Sequence, residues 1–324
     1  MSRVPQPFVV AHDAEQAAAL RGAVVAIGNF DGVHRGHQAV FDTAIRRARA
    51  GGPPAAALTF EPHPRSFFRP DEPSFLLTDP PTKLRLLATS GLDGAIVLRF
   101  DAALANLTAD EFIEKILVQQ LAIAGAVIGF NFFFGKHRGG SPEVLAAAGK
   151  KHGFSVDIVP PFEEHGRRVS SGAVRDALAR GDVADAAVLL GHPWFVSGEV
   201  IHGEKRGRAL GYPTANLRLD PGCGLKQGIY AVRVAVDGYR YDGVASFGRR
   251  PTFDNGAPLL EVFLFDFDGD LYGKLLDVAF IGWIRPELRF DSMDDLIRQM
   301  NEDARLACDI LARSPQDFPS LGCA

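Results

Sequence analysis

Val24-Val25-Ala26-Ile27-Gly28-Asn29-Phe30-Asp31-Gly32-Val33-His34-Arg35-Gly36-His37 decides how the first half of this chain folds. Four apolar residues of strand type run into a glycine-rich turn, and the turn runs into a helical pattern with apolar positions at Val40, Phe41, Ala44, Ile45 and Ala48. Strand, loop and helix in that order open a parallel α/β sheet, a fold that binds ligands beyond the carboxyl ends of its strands. Gly28, Gly32 and Gly36 would let backbone approach a phosphate closely, and the helix start adds unpaired N–H donors and a positive dipole end. Asn29, Phe30 and Asp31 lie inside the same turn and count with the glycines as candidate phosphate contacts. His34 and His37, three apart, would face one way and could neutralise charge on a phosphoryl group. Two ordinary turn histidines, or a metal pair, would read the same, although no His-Glu-x-x-His and no cysteine accompanies them to complete a zinc site.

Working outward, strand candidates at Ala55–Phe60, Ala95–Leu98, Ala126–Ile128 and Phe154–Val159 alternate with helical stretches at Lys83–Ala88, Asp110–Gln120 and Glu143–His152. Thr108 with Glu111 predicts a capping box, and Ser141 before Pro142 predicts a second helix start. After helices over Val174–Ala179 and Val183–Leu190 the texture changes to short strands, Ile229–Val236, Leu259–Phe265 and Leu276–Ile281. The hairpin dipeptides Asp237-Gly238 and Asp268-Gly269 punctuate them. A small antiparallel barrel with a closing helix over Ser292–Leu311 is expected, and 324 residues at about 150 per domain also suggest two domains, divided as 1–188 and 189–324.

Composition is globular, with 47% hydrophobic and 23% charged residues. Lys plus Arg total 35 against 39 Asp plus Glu, a net charge of -4 that disfavours a general nucleic-acid binder. Cys223, Cys308 and Cys323 form no disulfide framework and no Cys-x-x-Cys, and Pro5, Pro7, His12, Asp13 and Glu15 interrupt any export signal. A cytoplasmic protein, a monomer or weak homo-oligomer, is expected. Residues 116–135 lack charge over a membrane-spanning length, but Gln119, Gln120, Gly125, Gly129 and Asn131 make them a helix end, a buried strand and a loop, so no membrane partner is expected.

No P-loop occurs, so a kinase here needs another grip on phosphate. Gly203-Glu204-Lys205-Arg206-Gly207-Arg208 sets cations among glycines, with Lys205 and Arg208 the phosphate candidates. Thr214 and Asn216, two apart in an extended segment, would project together. Their oxygens suit Mg2+ shared with ATP phosphates, although a strand start with a Pro turn and two solvated polar residues is the reading the residues alone favour. Glu261 is the lone carboxylate of the apolar run Leu259–Phe263, where partial burial would strengthen it as a base; an exposed strand carboxylate reads the same. In the first half, Phe130–Phe134 with Lys136 and Arg138 could wall a flat ligand bearing phosphate, or could be core phenylalanines. Arg175, one turn into a helix that follows Ser170 and Ser171, is a cation where the dipole disfavours one unless an anion binds.

Together these segments resemble the prokaryotic bifunctional riboflavin kinase/FAD synthetase family from roughly Leu20 to Cys308. Gly28–His37 is similar to its nucleotidylyltransferase His-x-Gly-His signature, Gly129–Gly139 to its aromatic loop, and Val169–Arg175 to its Ile-Ser-Ser-Thr-x-x-Arg motif, with Gly172 in place of the usual Thr. Pro213-Thr214-Ala215-Asn216, Gly248–Phe253 and Asp270–Gly273 resemble the riboflavin kinase module. The resemblance implies a Rossmann-like nucleotidylyltransferase domain followed by a six-stranded β-barrel kinase domain. It implies ATP, riboflavin and FMN as substrates, FAD as product and Mg2+ as cofactor. By the same resemblance His34, His37, Ser171 and Arg175 contact ATP phosphates, Asn131, Phe132, Arg285 and Glu287 lie on the flavin side, Thr214 and Asn216 hold the metal, and Glu261 is the general base. Two rivals remain: a nucleotidylyltransferase for another acceptor whose β half only binds a ligand, and a non-catalytic flavin sensor.

Overall fold

The computed structural model describes residues 7–72, 75–202, 213–249, 258–314, 318–319 and 321–322. Lys205 and Arg208, and the segment Arg250–Phe253, lie outside the described residues. Packing divides the chain into two compact units: described residues up to Ser170, without Phe75–Leu77 but with 321–322, and then Phe75–Leu77 with the described residues of Ser171–Pro319.

The first unit is a parallel sheet with helices. Its elements run β1 (Val9–His12), β2 (Val24–Ile27), α1 (Arg35–Gly51), β3 (Ala55–Glu61), α2 (Pro64–Phe68), α3 (Pro80–Ala88), β4 (Gly94–Arg99), α4 (Ala102–Ala105) and α5 (Ala109–Glu111). A π-helix over Phe112–Gln120, β5 (Gly125–Gly129), α6 (Pro142–His152), β6 (Ser155–Val159) and the hairpin β7 (Glu163–Glu164) and β8 (Arg167–Arg168) complete it. Strand order is β1-β4-β3-β2-β5-β6, every neighbouring pair parallel. β2 is buried along its whole length, as expected of a central strand flanked on both sides, and its continuous apolar run follows from that. The predicted caps form: Glu111 N–H donates to Thr108 Oγ1 at 3.2 Å with the reciprocal bond at 3.0 Å, and Ser141 Oγ accepts from Val144 N–H at 3.4 Å. Edge strand β1 and the π-helical winding were not expected.

The second unit opens with α7 (Ser171–Arg180) and α8 (Val183–Leu190). The strands β9 (Phe195–Glu199), β10 (Ala215–Arg218), β11 (Gly228–Val236), β12 (Tyr239–Arg249), β13 (Pro258–Leu264) and β14 (Leu275–Arg285) follow, and α9 (Met293–Arg313) closes it. The antiparallel order is β10-β13-β12-β11-β14-β9, and a bridge from Ile201 to Asn216 draws its two ends together into a nearly closed barrel. Asp237 and Gly238 both adopt positive φ, 51° and 82°, the backbone of a two-residue hairpin between β11 and β12. Asp268-Gly269 instead lies in the longer connection 265–274, so the dipeptide marks a loop there rather than a tight hairpin. Leu217, Tyr230, Phe247, Leu260 and Val262 fill the barrel interior.

A buried ion pair fixes α9 to β14. The Arg285 guanidinium engages Asp303 by two bonds of 2.8 and 2.6 Å, and Gln299 adds a third at 3.0 Å. Removing one member of a buried pair strands the other charge in a poorly solvated place, a loss of about 3–5 kcal/mol. Asp303→Ala should therefore lower the unfolding free energy of the barrel unit by that order in urea titrations, while a surface change such as Glu302→Ala should cost little.

Candidate active sites

In the first unit β2 pairs with β3 on one side and β5 on the other, so chain direction across the sheet reverses between β2 and β5. A crevice opens beyond the strand ends at such a switch point. Ile27 and Ile128 are register partners, so the loops that follow them, 28–34 and 130–141, emerge side by side. The predicted phosphate loop and aromatic loop thus share one rim.

His34 is the N-cap of α1. Its Nδ1 accepts the His37 backbone N–H at 3.2 Å, which leaves the proton of a neutral ring on Nε2 as a donor. The His37 ring stacks on it, 3.5 Å between centroids and 16° from parallel. Burial, then the His34 ring, then the Lys83 ammonium push the His37 imidazole well below its ordinary pKa, and its Nδ1 is buried without a hydrogen-bond partner. Two imidazoles in this contact repel each other when both are charged. The two rings thus form a preformed stack at the start of α1, with the His37 ring held toward its neutral form.

The remaining loop residues mostly shape the loop itself. Phe30 is only 1% exposed and meets His37 and Phe41 edge to face, so its ring is packed inside the loop and only its backbone faces the rim. A Cβ on Gly28 would meet the Phe30 ring and one on Gly36 the His34 ring, so these two glycines make room for the loop's own aromatic side chains. Buried Asp31 accepts the Thr78 N–H at 3.1 Å, and Thr78 Oγ1 in turn accepts the Gly32 N–H at 3.2 Å. The Asn29 carbonyl accepts from Thr59 Oγ1 at 3.2 Å and Lys83 Nζ at 3.4 Å.

Along the aromatic loop the three phenylalanines divide. Phe134 is core, Phe132 stacks on it at 5.4 Å and is partly open, and Phe133 is 47% exposed beneath the Arg138 guanidinium. Asn131 is exposed beside them. Sequence reading missed Arg168, which the β7–β8 hairpin carries to 4.5 Å above the Phe130 ring.

In the second unit Ser171 opens α7, and Arg175, one turn on, donates through Nε to the Phe75 carbonyl at 2.5 Å. On the barrel, strand register does what spacing alone cannot. Asn216 on β10 pairs with Glu261 on β13, Glu261 with Ser246 on β12, Ser246 with Ile229 on β11, and Ile229 with Arg285 on β14. Cross-strand partners project to the same face. Leu260 and Val262, on either side of Glu261, point into the core, so this row lies on the outer face. Asn216, 7% exposed at the barrel seam, directs Nδ2 to the Thr214 carbonyl at 3.4 Å. Arg285 spends its guanidinium on Asp303 and on the Pro286 carbonyl, which gives it an anchoring role, while the Glu287 carboxylate packs over Gly248. Arg249 secures the Pro221 and Cys223 carbonyls at 2.9 and 3.1 Å.

Residues 16–173 match the FAD synthetase family model and residues 190–311 the riboflavin kinase model. The bifunctional riboflavin kinase/FMN adenylyltransferase of Haemophilus influenzae is 42% identical over 289 residues, 89% of this chain and 94% of its own length. That of Escherichia coli K12 is 42% identical over 293 residues, covering 90% and 93%, and that of Bacillus subtilis 37% over 292 residues, covering 88% and 91%. A crystal structure described as a macrolide-efflux protein from Streptococcus pneumoniae superposes with a TM-score of 0.83 at 33% identity, covering 93% of this chain and 99% of that one. Its transport description belongs to that protein; among the described residues here no helix is long and apolar enough to cross a membrane. With both family models matched in succession and relatives aligned over nearly the whole length, the chain belongs to the bifunctional riboflavin kinase/FMN adenylyltransferase family.

Proposed function

We propose that the two reactions of this enzyme divide along the chain, with residues 1–188 adenylylating FMN and residues 189–324 phosphorylating riboflavin. The chain is a riboflavin kinase and FMN adenylyltransferase that uses ATP in both steps. The FAD synthetase match extends to residue 173, which supports counting Ser171 with the adenylylating half.

The observation that carries the kinase assignment is the register that sets Glu261 beside Asn216 on one face. Glu261 takes the proton of the ribityl hydroxyl as its oxygen bonds to the γ-phosphorus of ATP and the bond to the β-phosphate oxygen breaks. The hydroxyl of Thr214 and the amide oxygen of Asn216 are hard donors that fit Mg2+, and two protein ligands suffice because this ion keeps waters and substrate phosphate oxygens. Bound there, the ion would neutralise charge on the β- and γ-phosphates. Lys205 and Arg208 add cations for the same phosphates, and Glu287 borders the flavin with Arg285 as its support.

In the adenylylating half an FMN phosphate oxygen attacks the α-phosphorus of a second ATP and pyrophosphate leaves. No strong base is required, because the nucleophile is already ionised. His34 donates from Nε2 and His37 lies stacked against it, so charge gathering on the phosphates draws protons toward the pair. Ser171 and Arg175 assist on phosphate, and Asn131 and Phe132 border the flavin. We place the enzyme in the reducing cytoplasm: Cys223 and Cys308 are thiols, and burial pushes Cys223 up to about 11, where it is chemically quiet.

Incubation with riboflavin and Mg-ATP, with flavins resolved by chromatography, tests the whole assignment; absence of both FMN and FAD rejects it. Glu261→Ala should reduce FMN formation by about two to four orders of magnitude while FMN supplied directly is still converted to FAD. His37→Ala should do the reverse, lowering FAD formation by about two to three orders of magnitude and sparing FMN formation. Excess EDTA should stop FMN formation and added Mg2+ restore it.

A further inference from the structure

Lys83 is 4% exposed, and no role in either reaction has been assigned to it so far. Its ammonium binds the Glu61 carboxylate, Thr59 Oγ1 at 3.3 Å and the Asn29 carbonyl at 3.4 Å. A buried lysine is costly unless paired, and Glu61, Thr59 and Asn29 give each of its three N–H donors an acceptor. That the third acceptor belongs to the signature loop has a reason beyond burial.

The reason lies in what else the same segment grips. Thr78 holds Asp31 and Gly32, Asp79 caps α3 by accepting the Thr82 N–H at 2.7 Å, and Lys83 follows one residue later. Residues 78–83 therefore clamp the loop at positions 29, 31 and 32, just ahead of the two histidines. We propose that Lys83 is a positioning residue for adenylyl transfer, fixing the first turn of the Gly28–His37 loop through the Asn29 carbonyl so that His34 and His37 stay aimed at the phosphates. This rests on the adenylyl-transfer reading of that loop.

The ammonium also acts at a distance. The charged or titratable groups around His37 are His34 on its own helix end, Lys83 on α3, and Glu61 on β3 through its pair with Lys83. Arg35 is engaged by Glu164 at 2.6 Å, and Asp31 by Thr78. A positive charge at Lys83 favours the neutral His37 ring, so its removal moves the His37 titration upward.

The test compares Lys83→Met, Lys83→Arg and the double variant Glu61→Gln/Lys83→Met, which removes both buried charges and keeps the fold if the single variant does not. FMN-to-FAD turnover should fall about tenfold to a hundredfold in both Met variants, the range expected when catalytic groups lose their aim. Riboflavin phosphorylation by the same preparations should stay at the parental rate, and Lys83→Arg should recover much of the lost turnover. His37 proton NMR titration should move upward in Lys83→Met, a shift that a filler of space would not produce. Parental FAD turnover in the double variant, or a Lys83→Met enzyme with an unmoved His37 titration, overturns the proposal. Failure of the adenylyl-transfer reading would show differently, as a parental enzyme that makes no FAD from FMN.

Discussion

Parallel pairing of β2 with both β3 and β5 is the constraint on which the first unit depends. Parallel strands carry all their carboxyl ends to one edge of a sheet, so each loop that follows a strand arrives on the same rim. Because strand order reverses at β2, the loops after β2 and β5 are not separated by a crossover helix, and the histidine loop meets the aromatic loop. Hydrogen bonds then refine what topology provides. Thr59, Thr78 and Lys83 secure the loop, and the His34 cap orients its own ring and starts α1 in one bond.

The barrel uses register where the parallel sheet uses topology. Asn216, Glu261 and Ser246 come from three strands, and only in-register antiparallel pairing sets them in one row. Side chains alternate faces along a strand, so a shift of β13 by one residue would carry Glu261 into the core and expose Leu260 or Val262. The apolar interior thereby enforces the position of a polar group on the opposite face. The bridge between Ile201 and Asn216 adds closure, and it explains why an asparagine on an outer face is almost buried.

Local chemistry was legible in advance. The caps at Thr108 and Ser141, the apolar run of β2 and the shared facing of the histidines three apart each depend on neighbours within a turn or two. The division among Phe132, Phe133 and Phe134 was not legible, because it depends on how the loop turns back at the Phe134 and Gly140 bridge. Lys83 was read only as the start of a helical stretch, since nothing near it in sequence reveals that Thr59 and Glu61 await it on β3. Arg285 shows what motif position leaves out: the motif suggests a place beside flavin, and its guanidinium is committed to Asp303 on α9, a partner far along the sequence. Strand β1 is short and lies at a sheet edge, where burial demands little of the sequence.

Sheet order also sets a schedule. β2 leaves the ribosome well before its neighbour on one side, β5, which is made only after β3, β4 and several helices. Until then the strand that carries the histidine loop has an open edge, and β1 likewise waits for β4. Domains generally fold as units during synthesis, and an unpaired apolar edge is a hazard while it lasts. The nascent chain must therefore keep its most apolar strand half-paired through most of the synthesis of the first unit, which makes this stretch the natural client of whatever shields emerging chains from aggregation.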